Sequence, residues 1–174
     1  MIVLAKVVII SGSPVKDSRL NGILNYATQY LESKDVSYDV VHVRELPAED
    51  LIQAAFDSPE IMKANEKVAA SDSVIILTPV YKASYTGVLK TYLDLLPQKG
   101  LADKTVLPLV IGGTYGHLLV IDYAINPVLS SLGASNIVKG VFTLDQQIQR
   151  TNENTFEIDN DAVQRLQAAL ERLV

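Results

Sequence analysis

Three short stretches of this chain carry residue types that bind or transform small molecules. The first is Ser11-Gly12-Ser13-Pro14-Val15-Lys16-Asp17-Ser18-Arg19, between an apolar run and an amphipathic one. Gly12 permits a tight turn, and the hydroxyls of Ser11, Ser13 and Ser18 can donate to phosphate oxygens. Free N–H groups at a following helix start would point at the same place, where the helix dipole favours an anion. Lys16 and Arg19 add positive charge. The plainer reading is an ordinary helix start capped by Ser18. The stretch is neither a G-x-G-x-x-G nor a G-x-x-x-x-G-K-[ST] loop, which disfavours a dinucleotide fingerprint and a P-loop.

The second stretch is Thr78-Pro79-Val80-Tyr81-Lys82-Ala83-Ser84-Tyr85-Thr86-Gly87. An apolar run ends there in proline and tyrosines, so a planar ligand can lie against it while backbone groups read its polar edge; a tyrosine-rich surface turn explains the composition equally well. The third is Gly112-Gly113-Thr114-Tyr115-Gly116-His117. Paired glycines let backbone approach a ligand closely, or simply make a turn with positive φ. His117 can act as an acid or base, but a lone histidine at a helix start more often caps or packs. His42, inside an apolar run, reads as structural.

Other chemistries find no support. There is no cysteine, so disulfides, thiolate catalysis and Cys-based metal sites are out. With two histidines a tight transition-metal site is not expected. There is no G-x-S-x-G elbow and no H-E-x-x-H, and Asp94 and Asp103 do not form a paired-carboxylate pattern. The net charge of −5 and the lack of a Lys/Arg cluster argue against nucleic acid. No apolar run reaches the roughly 20 residues that span a bilayer. The apolar start, Met1 to Ile10, lacks a basic beginning and a small-residue cleavage site, so it reads as a strand and not a signal peptide. A cytoplasmic location fits these features.

The elements that must position the three stretches alternate between apolar runs and amphipathic segments. Strands are expected at Val7–Ile10, Tyr38–Val43, Ser73–Leu77, Thr105–Ile111 and Ile137–Phe142. Helices are expected at Arg19–Ser33, Pro59–Ala70, Tyr85–Leu96, His117–Leu132 and Asn160–Leu173. Leu46 to Ser58 reads as a polar connection, and Thr143 to Asp159 has no assignment. Such alternation implies right-handed βαβ units and a parallel sheet covered on both faces. The expected architecture is a single α/β domain over residues 1–174, a doubly wound five-stranded parallel sheet. Its flavodoxin-like option has the order 2-1-3-4-5, and ligands then bind beyond the carboxyl ends of the strands.

The motifs also resemble a known family. Gly12-Ser13-Pro14 with Ser18-Arg19, Thr78 to Ala83 with Thr86-Gly87, Leu89-Lys90-Thr91 and Leu93 to Pro97 are similar to the NADPH-dependent FMN reductases, closest to those serving alkanesulfonate monooxygenases. The likeness continues through Val106 to Leu109, Gly112-Gly113-Thr114, His117-Leu118-Leu119, Asp122-Tyr123-Ala124 and Pro127-Val128-Leu129, covering roughly the first 145 residues. It implies a flavodoxin-like fold, FMN as flavin and NADPH or NADH as hydride donor. Carried over by position, Ser11, Ser13, Pro14, Lys16, Ser18 and Arg19 would surround the FMN phosphate. Pro79, Val80, Tyr81 and Lys82 would border the isoalloxazine, and Gly112, Gly113 and Thr114 would lie near its pyrimidine edge.

The resemblance further implies a homodimer or homotetramer with Tyr123 at a subunit contact. It implies release of reduced FMN to a flavin-dependent monooxygenase. The alternatives are an FMN-bound reductase of quinones, azo dyes or nitro compounds, and a flavodoxin-like electron carrier. No side-chain acid is needed for hydride transfer, so no catalytic side chain is assigned; backbone N–H groups of Gly112-Gly113-Thr114 can stabilise charge on the reduced ring. One departure stands out: where the family has arginine after Gly-Ser-Pro, this chain has Val15, with Lys16 adjacent.

Overall fold

The first β-branched run forms strand β1 (Lys6–Ser11). The computed structural model describes residues 6–174, so the apolar stretch expected to extend this strand back to Met1 lies, over residues 1–5, outside the described residues. There follow α1 (Leu20–Ser33), β2 (Ser37–His42), α2 (Ala48–Ile52), α3 (Pro59–Ala69), β3 (Ser73–Tyr81), β4 (Ser84–Tyr85) and α4 (Gly87–Leu93). The second half holds β5 (Thr105–Gly112), α5 (Asn126–Ser131), β6 (Asn136–Ile137), β7 (Val141–Leu144), β8 (Ile148–Asn152), β9 (Thr155–Ile158) and α6 (Asn160–Leu170).

The parallel sheet runs β2-β1-β3-β5, and both β6 and β7 then pair with the far side of β5. This is the expected doubly wound order 2-1-3-4-5, with the last strand delivered in two pieces. The cause of the split lies on the neighbouring strand. Val106 pairs with Ile137 and Leu109 with Val141, so residues 138–140 face only Leu107 and Pro108. Pro108 has no N–H for the ladder, and its carbonyl oxygen would lie 2.8 Å from a Cβ on Gly140. A small bulge follows.

Strand periodicity divides the core into two layers. Val8, Ile10, Val74, Ile76, Val106 and Val110 face α3, α4 and the segment around α5. Val7, Ile9, Ile75, Leu77, Leu107, Leu109 and Ile111 face α1 and α6. No helix among the described residues is long and apolar enough to cross a membrane.

Several elements depart from the sequence reading. The connection Leu46–Ser58 contains α2. The helix expected from Tyr85 begins at Gly87, because Ser84 and Tyr85 pair antiparallel with Tyr81 and Val80, and Thr86 then caps the helix by accepting from Leu89 N at 3.1 Å. The helix expected over His117–Leu132 is broken into a 3₁₀ turn at Tyr115–His117, a π-helical turn at Ile121–Ile125 and α5. Pro127 explains the widening: it has no N–H to offer the Tyr123 carbonyl four residues back, and its ring crowds that oxygen. The unassigned segment finishes β7 and then forms the β8–β9 hairpin, which packs outside the sheet on α1.

Candidate functional site

The loops after β1, β3 and β5 meet beyond the carboxyl edge of the sheet, beside the crossover between β1 and β3. Buried hydroxyls tie the first two together. Gly12 N donates to Leu77 O at 2.8 Å, and Thr86 Oγ1 donates to Gly12 O at 2.5 Å. Thr86 N in turn donates to Thr78 Oγ1 at 3.3 Å, and that hydroxyl donates to Pro79 O at 2.9 Å. Gly12 is required by close approach: a Cβ there would sit 2.6 Å from Leu89 Cβ. The third loop is keyed in the same way. A Cβ on Gly112 would lie 2.7 Å from Phe142 Cζ and 3.3 Å from Val80 Cγ2. Neither Gly112 nor Gly113 adopts a positive φ, so packing and not turn geometry demands glycine here.

An open cleft of about 470 Å³ lies among these loops. Val15, Asp17, Ser18 and Arg19 form one wall, Pro79, Val80 and Tyr81 another, and Ile111 and Gly112 the floor. Asp145 and Arg150, from the chain after β7, complete it. Ser18 Oγ accepts from Leu20 N at 3.2 Å, as the helix-start reading expects, while its own proton stays available to a ligand. The β3–β4 connection is a two-residue hairpin turn, with Lys82 at φ 49° and Ala83 at φ 65°.

Of the residues expected to contact a ligand, Ser18, Arg19, Pro79, Val80, Tyr81 and Gly112 thus line the cleft. Ser11 is buried in β1 and Ser13 beneath its loop. The Ser13 hydroxyl braces the loop, donating to Val15 O at 2.9 Å and accepting from Val15 N at 3.3 Å. Pro14 and Lys16 are exposed and off the cleft wall, although Lys16 O accepts from Asn21 Nδ2 at 2.8 Å. Lys82 sits at the tip of the hairpin. Gly113 and Thr114 are exposed just beyond the floor, where Thr114 Oγ1 accepts from Gly116 N at 3.2 Å.

Sequence reasoning missed Asp145 and Arg150. The usable signal was the spacing of Ile148, Arg150, Phe156 and Ile158 about Glu153-Asn154, which is that of a short hairpin. Neither histidine lines the cleft. His42 ends β2, accepts from Arg44 Nη1 at 3.3 Å through a neutral Nδ1, and is held below the usual histidine range, first by burial and then by the Arg44 charge. Among the described residues there is no cluster of three metal-ligating side chains.

A floor of packed glycine backbone, a wall with a cation and a free hydroxyl, and an opposing aromatic edge suit a planar ligand with an anionic tail. Comparison with known proteins agrees. Residues 5–149 match the family model for NADPH-dependent FMN reductases. An FMN reductase (NADPH) of Pseudomonas putida is 47% identical over 142 residues, 82% of this chain and 72% of that protein. A second, from Escherichia coli, is 46% identical over 143 residues, 82% of this chain and 75% of the relative. Among solved structures, the apo form of the NADH:FMN oxidoreductase EmoB superposes with a TM-score of 0.86 at 32% identity, covering 97% of this chain and 88% of that one. The chain therefore belongs to the NADPH-dependent FMN reductase family and is an NAD(P)H:FMN oxidoreductase that uses FMN and NADPH.

Proposed function

We propose that this reductase exchanges its flavin and supplies reduced FMN to a separate flavin-dependent monooxygenase of the sulfonate-sulfur type. The observation that carries this reading is the short set of side-chain donors in the cleft wall, Ser18, Arg19, Tyr81 and Arg150. The hydroxyl of Ser13 is committed to its own loop, and Arg19, the residue that precedes α1, makes no side-chain cap bond to the helix. A ligand held with a dissociation constant near 1 µM is bound by about 8 kcal/mol and still exchanges readily.

In this reading the Ser18 hydroxyl and the Arg19 guanidinium hold the phosphate, with Ser11, Ser13 and Pro14 shaping the loop beneath it, because the first N–H groups of α1, on Leu20, Asn21 and Gly22, already donate to Ser18 and Arg19. Pro79, Val80 and Tyr81 border the ring, and backbone N–H groups of Gly112-Gly113-Thr114 face its polar edge. Bound FMN supplies the hydride-accepting chemistry, so the protein's work is to position two cofactors and place amide dipoles where negative charge develops. The enzyme acts as a homo-oligomer through the exposed segment that carries Tyr123.

The test begins with ultrafiltered protein. It is expected to be colourless, to consume NADPH only when FMN is added, and to yield sulfite when an alkanesulfonate monooxygenase and an alkanesulfonate are also present. Stoichiometric flavin that survives ultrafiltration, or a coupled reaction giving no sulfite, overturns the exchange role. The first of these results would favour a reductase that keeps its FMN.

A further inference from the structure

The β8–β9 hairpin places an arginine on its inward face. Ile148 pairs with Ile158 and Arg150 with Phe156, so strand alternation puts all four side chains on one side of the ribbon. That side is the one that packs on α1, because a Cβ on Gly22 would meet Ile148 Cγ2 at 2.8 Å and Phe156 Cβ at 3.2 Å. Ile148 is buried and Phe156 half-buried, and both belong to the apolar layer under α1 and α6. Arg150 takes the next inward position. Its guanidinium carbon lies 5.5 Å from the Phe156 ring centroid, a cation–π contact, and the exposed end of the side chain lines the cleft together with Ser18 and Arg19.

The ladder shifts register between Arg150 and Asn152, a bulge of the kind that re-aims one side chain. The hairpin is also pinned at its far end, where Asn25 Nδ2 of α1 donates to Asn154 O at 3.1 Å. Among the described residues, neither Arg19 nor Arg150 has a carboxylate within 4.0 Å, although Asp17 and Asp145 line the same cleft. The first loop brings a single cation to the cleft wall, since Val15 lines it and Lys16 does not.

We propose that Arg150, on the hairpin that packs against α1, is the second cation for the flavin phosphate and clamps it opposite Arg19. This rests on the reading of the cleft as the FMN site. It assigns the charge that Val15 cannot supply to a residue one position beyond the stretch matching the family model. A guanidinium restrained by a cation–π contact can give two parallel hydrogen bonds to phosphate, which a lysine cannot.

Flavin fluorescence titration separates this inference from the reading beneath it, using FMN and riboflavin, which lacks the phosphate. Arg150→Gln is expected to raise the dissociation constant for FMN about tenfold and to leave riboflavin within about twofold. Arg150→Lys recovers part of the loss. Arg172→Gln, removing an exposed charge at the end of α6, changes neither. If the parent protein prefers FMN to riboflavin and Arg150→Gln weakens both equally, or neither, the phosphate is held elsewhere and the inference fails alone. A rise confined to the KM for NADPH would assign Arg150 to the dinucleotide and overturn it likewise. A parent protein that takes up neither flavin removes both the inference and its foundation.

Discussion

Gly112 shows why a glycine beside a cleft need not mean contact with a ligand. Its missing Cβ makes room for Phe142, 2% exposed, and for Val80, which lines the cleft. Phe142 is a rigid buried ring and cannot retreat, so the strain of an added methyl passes partly to Val80 and from there into the cleft proposed to take FMN. Gly112→Ala is therefore expected to lower unfolding free energy by about 1–3 kcal/mol, the usual cost of overpacking, and to weaken FMN binding. Gly113→Ala is the internal comparison. Its Cβ would meet only Asp145 Oδ2, at 3.6 Å, so its stability is expected within about 0.5 kcal/mol of the parent. Urea unfolding of both variants checks the pair. Equal losses would mean that the third loop as a whole, and not one close approach, sets the cost.

The β3–β4 hairpin carries strain of another kind. Its two turn residues, Lys82 and Ala83, both have φ near the left-handed region, the geometry that hairpins usually give to Asn-Gly. Each side chain with a Cβ costs on the order of 1 kcal/mol there. The double variant Lys82→Asn, Ala83→Gly is expected to raise the thermal midpoint by several degrees, the shift that about 1–2 kcal/mol gives in a chain of this size. An unchanged or lower midpoint would show that this turn is not strained in solution.

This hairpin also marks where local sequence stops being informative. The apolar runs of β1, β3 and β5 and the stripes of α1, α3 and α6 were legible because each is buried by its own periodicity. The strand pairing of Ser84-Tyr85 was hidden by the amphipathic pattern that begins beside it. The break between β6 and β7 is caused by Pro108 on another strand, and the widened turn at Ile121–Ile125 by Pro127 ahead of it. In the cleft, loop residues Ser18, Arg19, Pro79, Val80, Tyr81 and Gly112 could be read from motifs directly after strands. Arg150 was harder to read, because a charged residue stands at an inward position of its hairpin, so the alternation shows only when Ile148, Phe156 and Ile158 are taken together.

At the scale of the whole molecule, the chain after β5 leaves an unusual apolar strip uncovered. Tyr115, Leu118, Leu119 and Tyr123 are 50%, 47%, 58% and 78% exposed, all within nine residues of sequence. Single exposed apolar residues are ordinary, but four this close in sequence are the composition that a contact surface needs. Tyr123 lies within the π-helical turn and is the most exposed of the four. A second copy of the chain is the simplest cover, and a self-complementary patch closes as a symmetric dimer or a pair of dimers. Tyr123→Ala is expected to lower the oligomeric state measured by light scattering on a sizing column, at protein concentrations where the parent is still assembled. The same variant should keep its far-ultraviolet spectrum, because a side chain this exposed contributes little to its own core. A parent protein that elutes as a monomer at tens of micromolar would remove the strip as a self-contact. The strip also adjoins the third loop, through Tyr115, whose ring tilts against Phe142 at 6.1 Å between centroids. Burying it in an assembly would therefore steady the cleft floor, so the dissociated variant is further expected to bind FMN more weakly than the parent. An affinity unchanged on dissociation would separate assembly from the site.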